Sequence, residues 1–299
     1  MALLNPPQIL PNAAHAIYRY LARRGAEWTT RDDLKRVLVP FSAEYDVIEL
    51  TSSMCLDVGL LEGSEEKVRI VPVNLTPIEH NDRVNAGFRT LMRRLVLERT
   101  LNQDLWREGP RGPSQHGARD FVRAVSWYLS LNIYELSGKY EGDGVTIEAL
   151  GGREFGADSP IVNAERWQPF VRWSTYLGFA TPFSVRGSIM VVPDPAIAIR
   201  DVLRRTSERS PVTIESFVGW LASELPVLDQ GAYRLEVLSR ANRDPDPAGQ
   251  ISPALSHALL RLHDAHLIEL ESKADAPSLR LVAGSGSFVD YSHVRIGSA

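Results

Sequence analysis

Val47-Ile48-Glu49-Leu50-Thr51-Ser52-Ser53-Met54-Cys55-Leu56-Asp57-Val58-Gly59-Leu60-Leu61-Glu62-Gly63-Ser64-Glu65-Glu66-Lys67-Val68-Arg69-Ile70-Val71 changes its periodicity at Gly59. Before the glycine, Val47, Leu50, Thr51 and Met54 recur at the spacing of one helical face. After it, Leu60-Leu61-Glu62 and Lys67 to Val71 are short extended runs on either side of Gly63-Ser64-Glu65-Glu66. Gly59 can enter the left-handed backbone region without steric penalty, which is how many helices stop. The stretch predicts a helix, an abrupt stop and a hairpin.

Upstream, Asn12 can cap a helix that carries Ala14, Ile17, Tyr18 and Leu21 on one face and ends at Gly25. Thr30 opens a second helix, with Asp33 reaching back in the manner of a capping box and Leu34, Val37 and Leu38 pointing inward. Helix, short helix, longer helix, hairpin is the order of a winged helix. The pattern recurs. Trp167, Phe170, Val171 and Ser174 line a second helix that stops at Gly178, and Phe179 to Phe183 pairs with Ser188 to Val192 across Ser184-Val185-Arg186-Gly187. Leu255, Ala258, Leu259 and Leu262 line a third, which stops at His266, a residue type that tolerates positive φ. There Leu267 to Leu270 is expected to pair with Leu279 to Val282 around Lys273-Ala274-Asp275-Ala276-Pro277. The fold class read from this is mainly α with small β-hairpins, as three tandem winged-helix units. The competing reading is that common helix-hairpin segments have arisen independently, since the copies share pattern more than identity.

The remaining segments set the boundaries. Phe121, Ala124, Val125, Tyr128 and Leu129 form an apolar stripe, and Val145 to Leu150 is either helical or extended. The last unit opens at Pro211 and Thr213, buries Ile214, Phe217, Val218 and Leu221, and has a second helix from Ala232 to Ala241 before the proline-rich loop Asp244 to Gly249. A long helix from about Asp82 to Leu105 and a flexible linker, Gly109-Pro110-Arg111-Gly112-Pro113-Ser114, follow the first unit. A helix from Ala196 to Thr206 joins the second unit to the third. The expected divisions are an N-terminal unit over 1–80, a basic helix and loop over 81–117, a middle unit over 118–207 and a C-terminal unit over 208–299.

Composition narrows the function. With 299 residues, 44% of them hydrophobic and 23% charged, the chain can bury more than one core. A single cysteine, Cys55, leaves no intrachain disulfide and no cysteine-clustered zinc site, which fits a reducing, cytoplasmic setting. The start of the chain has neither the basic region nor the apolar run of a signal peptide, and no later stretch has the length of a membrane anchor. Glycine-rich phosphate loops, dinucleotide fingerprints and nucleophile elbows are absent, and the seven histidines are dispersed. The expectation is a non-enzymatic chain with no cofactor and no metal. Gly151-Gly152-Arg153-Glu154-Phe155-Gly156 reads as a loop that could approach an anion or, more plainly, as a connection. Trp127, Trp167 and Trp173 sit among apolar neighbours and read as core.

A net charge of -4 opposes a whole-chain grip on nucleic acid, so any contact with phosphate must be a local patch. In the first unit the third helix carries Glu44, Asp46, Glu49 and Asp57 with no lysine or arginine, and the wing tip carries Glu65 and Glu66. Such a face repels a phosphate backbone and suits protein docking or simple solvation. In the last unit Ser256, His257, Arg261 and His263, with Lys273 at the wing, offer modest phosphate contact. The densest basic run is Arg83, Arg89, Arg93, Arg94 and Arg99, followed by Arg107, Arg111, Arg119 and Arg123. Arg89 and Arg93 lie one turn apart and can straddle a phosphate, or the run is a solvated face of a helix packed through Phe88, Leu91, Met92 and Leu95. The candidate nucleic-acid residues are therefore Arg83, Arg89, Arg93, Arg94, Arg99, Arg261 and Lys273.

Leu3-Leu4-Asn5-Pro6-Pro7 through Leu10-Pro11-Asn12, Ala118 to Leu129 and Phe170 to Phe179 together resemble the DpdG family, accessory proteins of bacterial gene clusters that place deazapurines in DNA and restrict unmodified DNA. The resemblance implies a role in phage defence beside helicase and nuclease-like partners, and it transfers no functional residue. The functional expectation is an adaptor or DNA-associated subunit of such a complex, with protein subunits as partners, DNA through a local patch and no membrane. The alternatives are a stand-alone winged-helix transcriptional regulator and an enzyme of unrecognised type.

Overall fold

The structure, a computed structural model, describes residues 2–39, 46–72, 86–109, 112–113, 117–134, 145–185, 188–206 and 210–297. The fold is mainly helical with small antiparallel sheets. It divides into two compact units, Met1–Val122 with Ala164–Tyr176, and Arg123–Asn163 with Leu177–Ala299.

The first unit begins with α1 (Pro11–Arg24), β1 (Thr29–Thr30), α2 (Arg31–Leu38), α3 (Asp46–Asp57), β2 (Leu61–Gly63) and β3 (Lys67–Ile70). Pro11, and not Asn12, starts α1: proline's fixed φ suits the first helical turn, and the Asn12 side chain accepts only from the adjacent Ala13 N–H. Thr30 does cap α2, its Oγ1 accepting from Asp33 N–H at 3.1 Å. The buried stripe of α2 is Arg31 and Leu34 with Leu38 half-buried, a spacing of three and four that leaves Val37 on the flank at 48% exposure. The inward face of α3 is likewise turned from the expected one. Ile48, Thr51, Ser52, Met54 and Cys55 are buried, while Val47 and Leu50 are half-buried. Gly59, at φ 76°, ends the helix as expected, with Leu60 N–H donating to Cys55 C=O at 2.9 Å. The hairpin then forms with Leu61 opposite Ile70 and Gly63 opposite Val68. β1 joins the far side of β3, giving the sheet order β1-β3-β2.

The helix expected from Asp82 to Leu105 is shorter. α4 spans Ala86–Val96, and the proposed start at 82–85 lies outside the described residues. Its C-terminal end is closed by Asn102, whose Nδ2 donates to Val96 C=O and Glu98 C=O, both at 2.8 Å. A polar side chain that folds back onto the last carbonyls ends a helix as effectively as glycine. Part of the expected linker is ordered as a strand pair, β4 (Glu108–Gly109) with β5 (Gly112–Pro113). The core also holds the start of the chain. Leu3 and Leu4 are 0% and 1% exposed and donate their N–H groups to the carboxylate of Asp120. Trp173 Nε1 donates to Ile9 C=O at 3.1 Å.

In the second unit the stripe of α5 (Arg119–Tyr128) is buried as expected at Ala124, Val125 and Tyr128, with Leu129 beyond its end. α6 (Val145–Phe155) settles the ambiguous segment as helix and absorbs Gly151 and Gly152, so that stretch is not a loop. After α7 (Ala164–Leu177), which belongs to the first unit up to Tyr176, Gly178 takes φ 82° and the second-unit hairpin β6 (Ala180–Val185) with β7 (Ser188–Pro193) forms, Thr181 opposite Val192. α8 (Ala196–Leu203), β8 (Val212–Thr213), α9 (Ile214–Glu224), α10 (Ala232–Arg240) and α11 (Pro253–Asp264) follow.

The last hairpin differs from the expected one. β9 (Ile268–Glu271) pairs with β12 (His293–Ile296), and Leu279 to Gly284, as β10, pairs with β11 (Ser287–Tyr291). The alternation that decides this lies near the end of the chain: Val294 and Ile296 are buried between exposed Arg295 and half-buried His293, and they sit opposite Leu270 and Ile268. β8 adds to the other edge of β12, giving β8-β12-β9. That is the order of the N-terminal sheet, with β10 and β11 inserted where the β2-β3 hairpin has a tight turn. The correspondence extends to detail. Thr213 ends β8 and caps α9 as Thr30 ends β1 and caps α2. His266, at φ 57°, stops α11 as Gly59 stops α3, with Leu267 N–H on Leu262 C=O at 2.9 Å.

Candidate functional site

The candidate cations are divided between the two units. Arg83 lies outside the described residues. On α4, Arg93 is 3% exposed, Arg89 and Arg94 are half-buried, and all three have interaction partners. The apolar face of that helix, Phe88, Leu91, Met92 and Val96, is buried, with Phe88 stacked on His15 at 4.8 Å between ring centres. Arg99 is exposed on the turn that follows. In the second unit, Lys273 is about half-exposed, 3.7 Å from Glu271.

α3 has no cation on the side it offers. Glu49 meets Lys35 of α2 at 2.7 Å, and the hydrogen bond and charge of Lys35 hold its carboxyl below the usual carboxylate range. In the β2-β3 hairpin, Arg69 pairs with Glu62 at 2.6 Å and lies over the exposed Trp28 ring at 4.5 Å. Arg69 is thus engaged by its own hairpin and by Trp28.

α11 presents Arg261 and His257, one turn apart, and α8 packs against it. Arg261 donates to Oδ2 of Asp194, which is 1% exposed in the turn between β7 and α8. The carboxylate is oriented from below: Thr181 Oγ1 donates to Oδ2 at 2.8 Å, and Ala196 N–H, at the start of α8, donates to Oδ1 at 3.1 Å. Burial pushes the His257 pKa down, the Asp194 charge opposes that shift, and Arg261 adds to it. No local pattern in the sequence pointed to Asp194, because its partner is 67 residues away.

A second buried cluster was also missed. Arg234, 2% exposed, donates Nη1 to Leu129 C=O at 2.9 Å and Nη2 to Asp246 Oδ2 at 2.6 Å. Asp229 lies 3.6 Å from the same guanidinium and takes both the N–H and the hydroxyl of Ser252. Arg243 donates to Ser130 C=O at 3.0 Å and meets Glu154, which also takes Trp127 Nε1 at 2.9 Å. Two guanidinium groups therefore satisfy the last carbonyls beyond α5, where the helix dipole is negative. Burial pushes the Asp246 carboxyl up, partly offset by Arg234. A cavity of about 180 Å³ adjoins this cluster, lined by Val218, Gln230, Leu238 and Ile251 among others. The charged groups there are neutralised by one another, so the cluster reads as structural. Among the described residues no group of histidine, cysteine and acidic side chains is arranged for a metal, and no helix is long and apolar enough to cross a membrane.

A family profile described as DpdG-like matches residues 1–276. The chain belongs to the DpdG-like family. The match takes in the whole of the first assembly and the second up to the loop after β9, short of β10, β11 and β12. The DpdG-like family is an accessory one, of Dpd-type systems. No curated protein and no solved structure gives a significant match.

Proposed function

We propose that the chain is a non-catalytic adaptor of a Dpd-type DNA modification and restriction system, docking its partners through winged-helix surfaces and touching DNA only locally. The observation that carries this reading is that sheets β1-β3-β2 and β8-β12-β9 are built alike: in each a two-residue strand runs into a threonine-capped helix, and the paired strands follow a helix stopped at positive φ, with α10 and the β10-β11 hairpin additional in the second. The first assembly has the element order of a winged helix, the second adds to it, and the hairpin β6-β7 after Gly178 is a partial third instance. Docking of protein rather than duplex through the first unit is favoured by α3, which brings Asp46, Glu49 and Asp57 and no cation. A phosphate backbone is repelled by such a face, whereas a basic protein surface is attracted. The DNA-associated part of the proposal rests on Arg99, Lys273 and Arg261, with Arg89 and Arg94 contributing from α4. A stand-alone transcriptional regulator fits less well, because neither third helix offers a row of uncommitted basic side chains to a major groove.

The test is affinity capture of the full chain from a host carrying a Dpd-type cluster and from one lacking it. The tag belongs at the C-terminal end, because Leu3 and Leu4 are buried. Products of the neighbouring genes should be retained only in the first host. Capture of none of them from a cluster-bearing host refutes the adaptor role.

A further inference from the structure

We propose that α11 carries a phosphate-binding pair, Arg261 with His257, which the carboxylate of Asp194 occupies as an internal anion, so that duplex DNA grips this helix only after displacing it. The inference rests on the winged-helix reading of the C-terminal assembly and deepens it. Arg261 and His257 are four residues apart on one helical face. Their surroundings are unlike those of a surface ion pair. Asp194 is almost wholly buried, while the Arg261 side chain is 45% exposed, so the acid lies beneath the guanidinium and the guanidinium opens to solvent. Thr181 Oγ1 and the Ala196 N–H hold the carboxylate in place independently of Arg261. Asp194 therefore stays ordered when Arg261 leaves, and can take it back.

Among the described residues, α11 itself carries Arg261, His263 and Asp264, and the turn before α8 carries Asp194; α8 adds Arg200 and Asp201, 4.0 Å apart, and the strands packed on α11 add Arg280, paired with Asp290, and Glu269 and Glu271, paired with Arg295. Among the described residues, the acid paired with Arg261 is Asp194. A phosphate oxygen and a carboxylate oxygen make the same charge-assisted bond to a guanidinium. While the carboxylate is bound, a phosphate gains little from the helix.

The experiment is fluorescence-anisotropy titration of the full chain with a labelled mixed-sequence duplex of about 20 base pairs, over a range of salt concentrations. Asp194→Asn removes the charge and keeps a side-chain oxygen to accept from the Ala196 N–H at the start of α8. Affinity should rise about tenfold, the size of one charge-assisted hydrogen bond. The slope of log affinity against log salt should steepen by about 0.9, for one further phosphate. Adding Arg261→Ala should cancel both changes. An Asp194→Asn protein that melts like the parent and binds with unchanged affinity and slope overturns the inference. If Lys273→Glu or Arg99→Glu still weakens binding of that protein, the DNA-associated reading survives its loss. Absence of any duplex binding, in parent and variant alike at low salt, overturns both and leaves the adaptor role to the capture experiment. A measurement on the unsubstituted chain covers the case in which the variants misfold: saturating duplex should shield Arg261 from phenylglyoxal, scored by mass spectrometry, and an unshielded Arg261 counts as refutation.

Discussion

Asp120 shows how one carboxylate fixes the start of the chain. It is 1% exposed and receives the N–H groups of Leu3 and Leu4, at 3.3 and 2.8 Å, besides that of Phe121. The same charge sits near Arg166, whose pKa burial pushes down while Asp120 pulls it up. Asp120→Ala removes the acceptor of three backbone N–H groups and a negative charge near the half-buried Arg166. A loss of about 3 kcal/mol is expected from such unsatisfied groups, read as the shift in a urea transition. Asp120→Asn should cost less, because an amide oxygen still accepts. Cys55 gives a second prediction of this kind. It is fully buried in α3, and burial pushes its thiol well above the ordinary range. The thiolate is the nucleophile, so iodoacetamide should leave native protein unlabelled in mildly alkaline buffer and label it in denaturant. The folded pKa lies above the unfolded one. The stabilisation is therefore whole below the ordinary thiol pKa of about 8.5 and is lost as pH rises from there through the folded value. Labelling of native protein at the denatured rate contradicts this burial.

Among elements, the helix stops were the most legible feature, because glycine or histidine at the end of an apolar periodic run has a direct steric meaning. Gly59, Gly178 and His266 all adopt the positive φ that the sequence implied. Two of these stops can be told apart by substitution. A Cβ at Gly59 meets nothing within 4 Å, so Gly59→Ala pays only for the left-handed backbone, about 1 kcal/mol. At Gly178 the same atom falls 2.7 Å from Ile197 Cγ2 and 2.9 Å from the Ala198 backbone nitrogen. Overpacking then adds to the conformational cost, and about 3 kcal/mol is expected. Thermal unfolding of the two alanine variants should rank them in that order, and equal losses would mean that the turn into α8 is not closely packed. Strand pairing was less legible than helix ends. Leu279 to Val282 has the alternation of a wing strand, yet its partner is β11, because the better apolar match to Ile268 and Leu270 is Val294 and Ile296, more than 20 residues downstream. Local pattern identifies a strand and leaves its partner open. The extent of α4 was hidden for a similar reason, since the Asn102 side chain that ends it lies beyond the periodic run.

At the scale of the whole molecule, what periodicity could not supply were the polar contacts between distant segments. Arg234 meets Leu129 across 105 residues, Arg243 meets Ser130 across 113, and Arg261 meets Asp194 across 67. The arginines judged most suitable for phosphate from charge runs alone, Arg89, Arg93 and Arg94, are buried or half-buried, because a run of like charges says nothing about which of its members the fold covers. The long-range contacts carry a consequence for the C-terminal segment over 208–299. Excised, it keeps α9, α10, α11 and the sheet β8-β12-β9, with their apolar core of Phe217, Leu221, Leu255 and Leu259. It loses the carbonyls of Leu129 and Ser130 that receive Arg234 and Arg243, and the carboxylate that receives Arg261. Arg234 is 2% exposed and stands in a cluster with Asp229 and Asp246, so stripping one side of it opens a buried charged network to water. A half-satisfied network of that kind is worse than an apolar one. The fragment should keep helical circular dichroism but unfold in urea over a broader range than the full chain, with a shallower dependence on denaturant. Supplying residues 118–207 as a second polypeptide should sharpen the transition, because that piece restores all three acceptors. A fragment that unfolds as sharply alone as with the added piece would show that the arginine contacts to Leu129 and Ser130 are dispensable for folding.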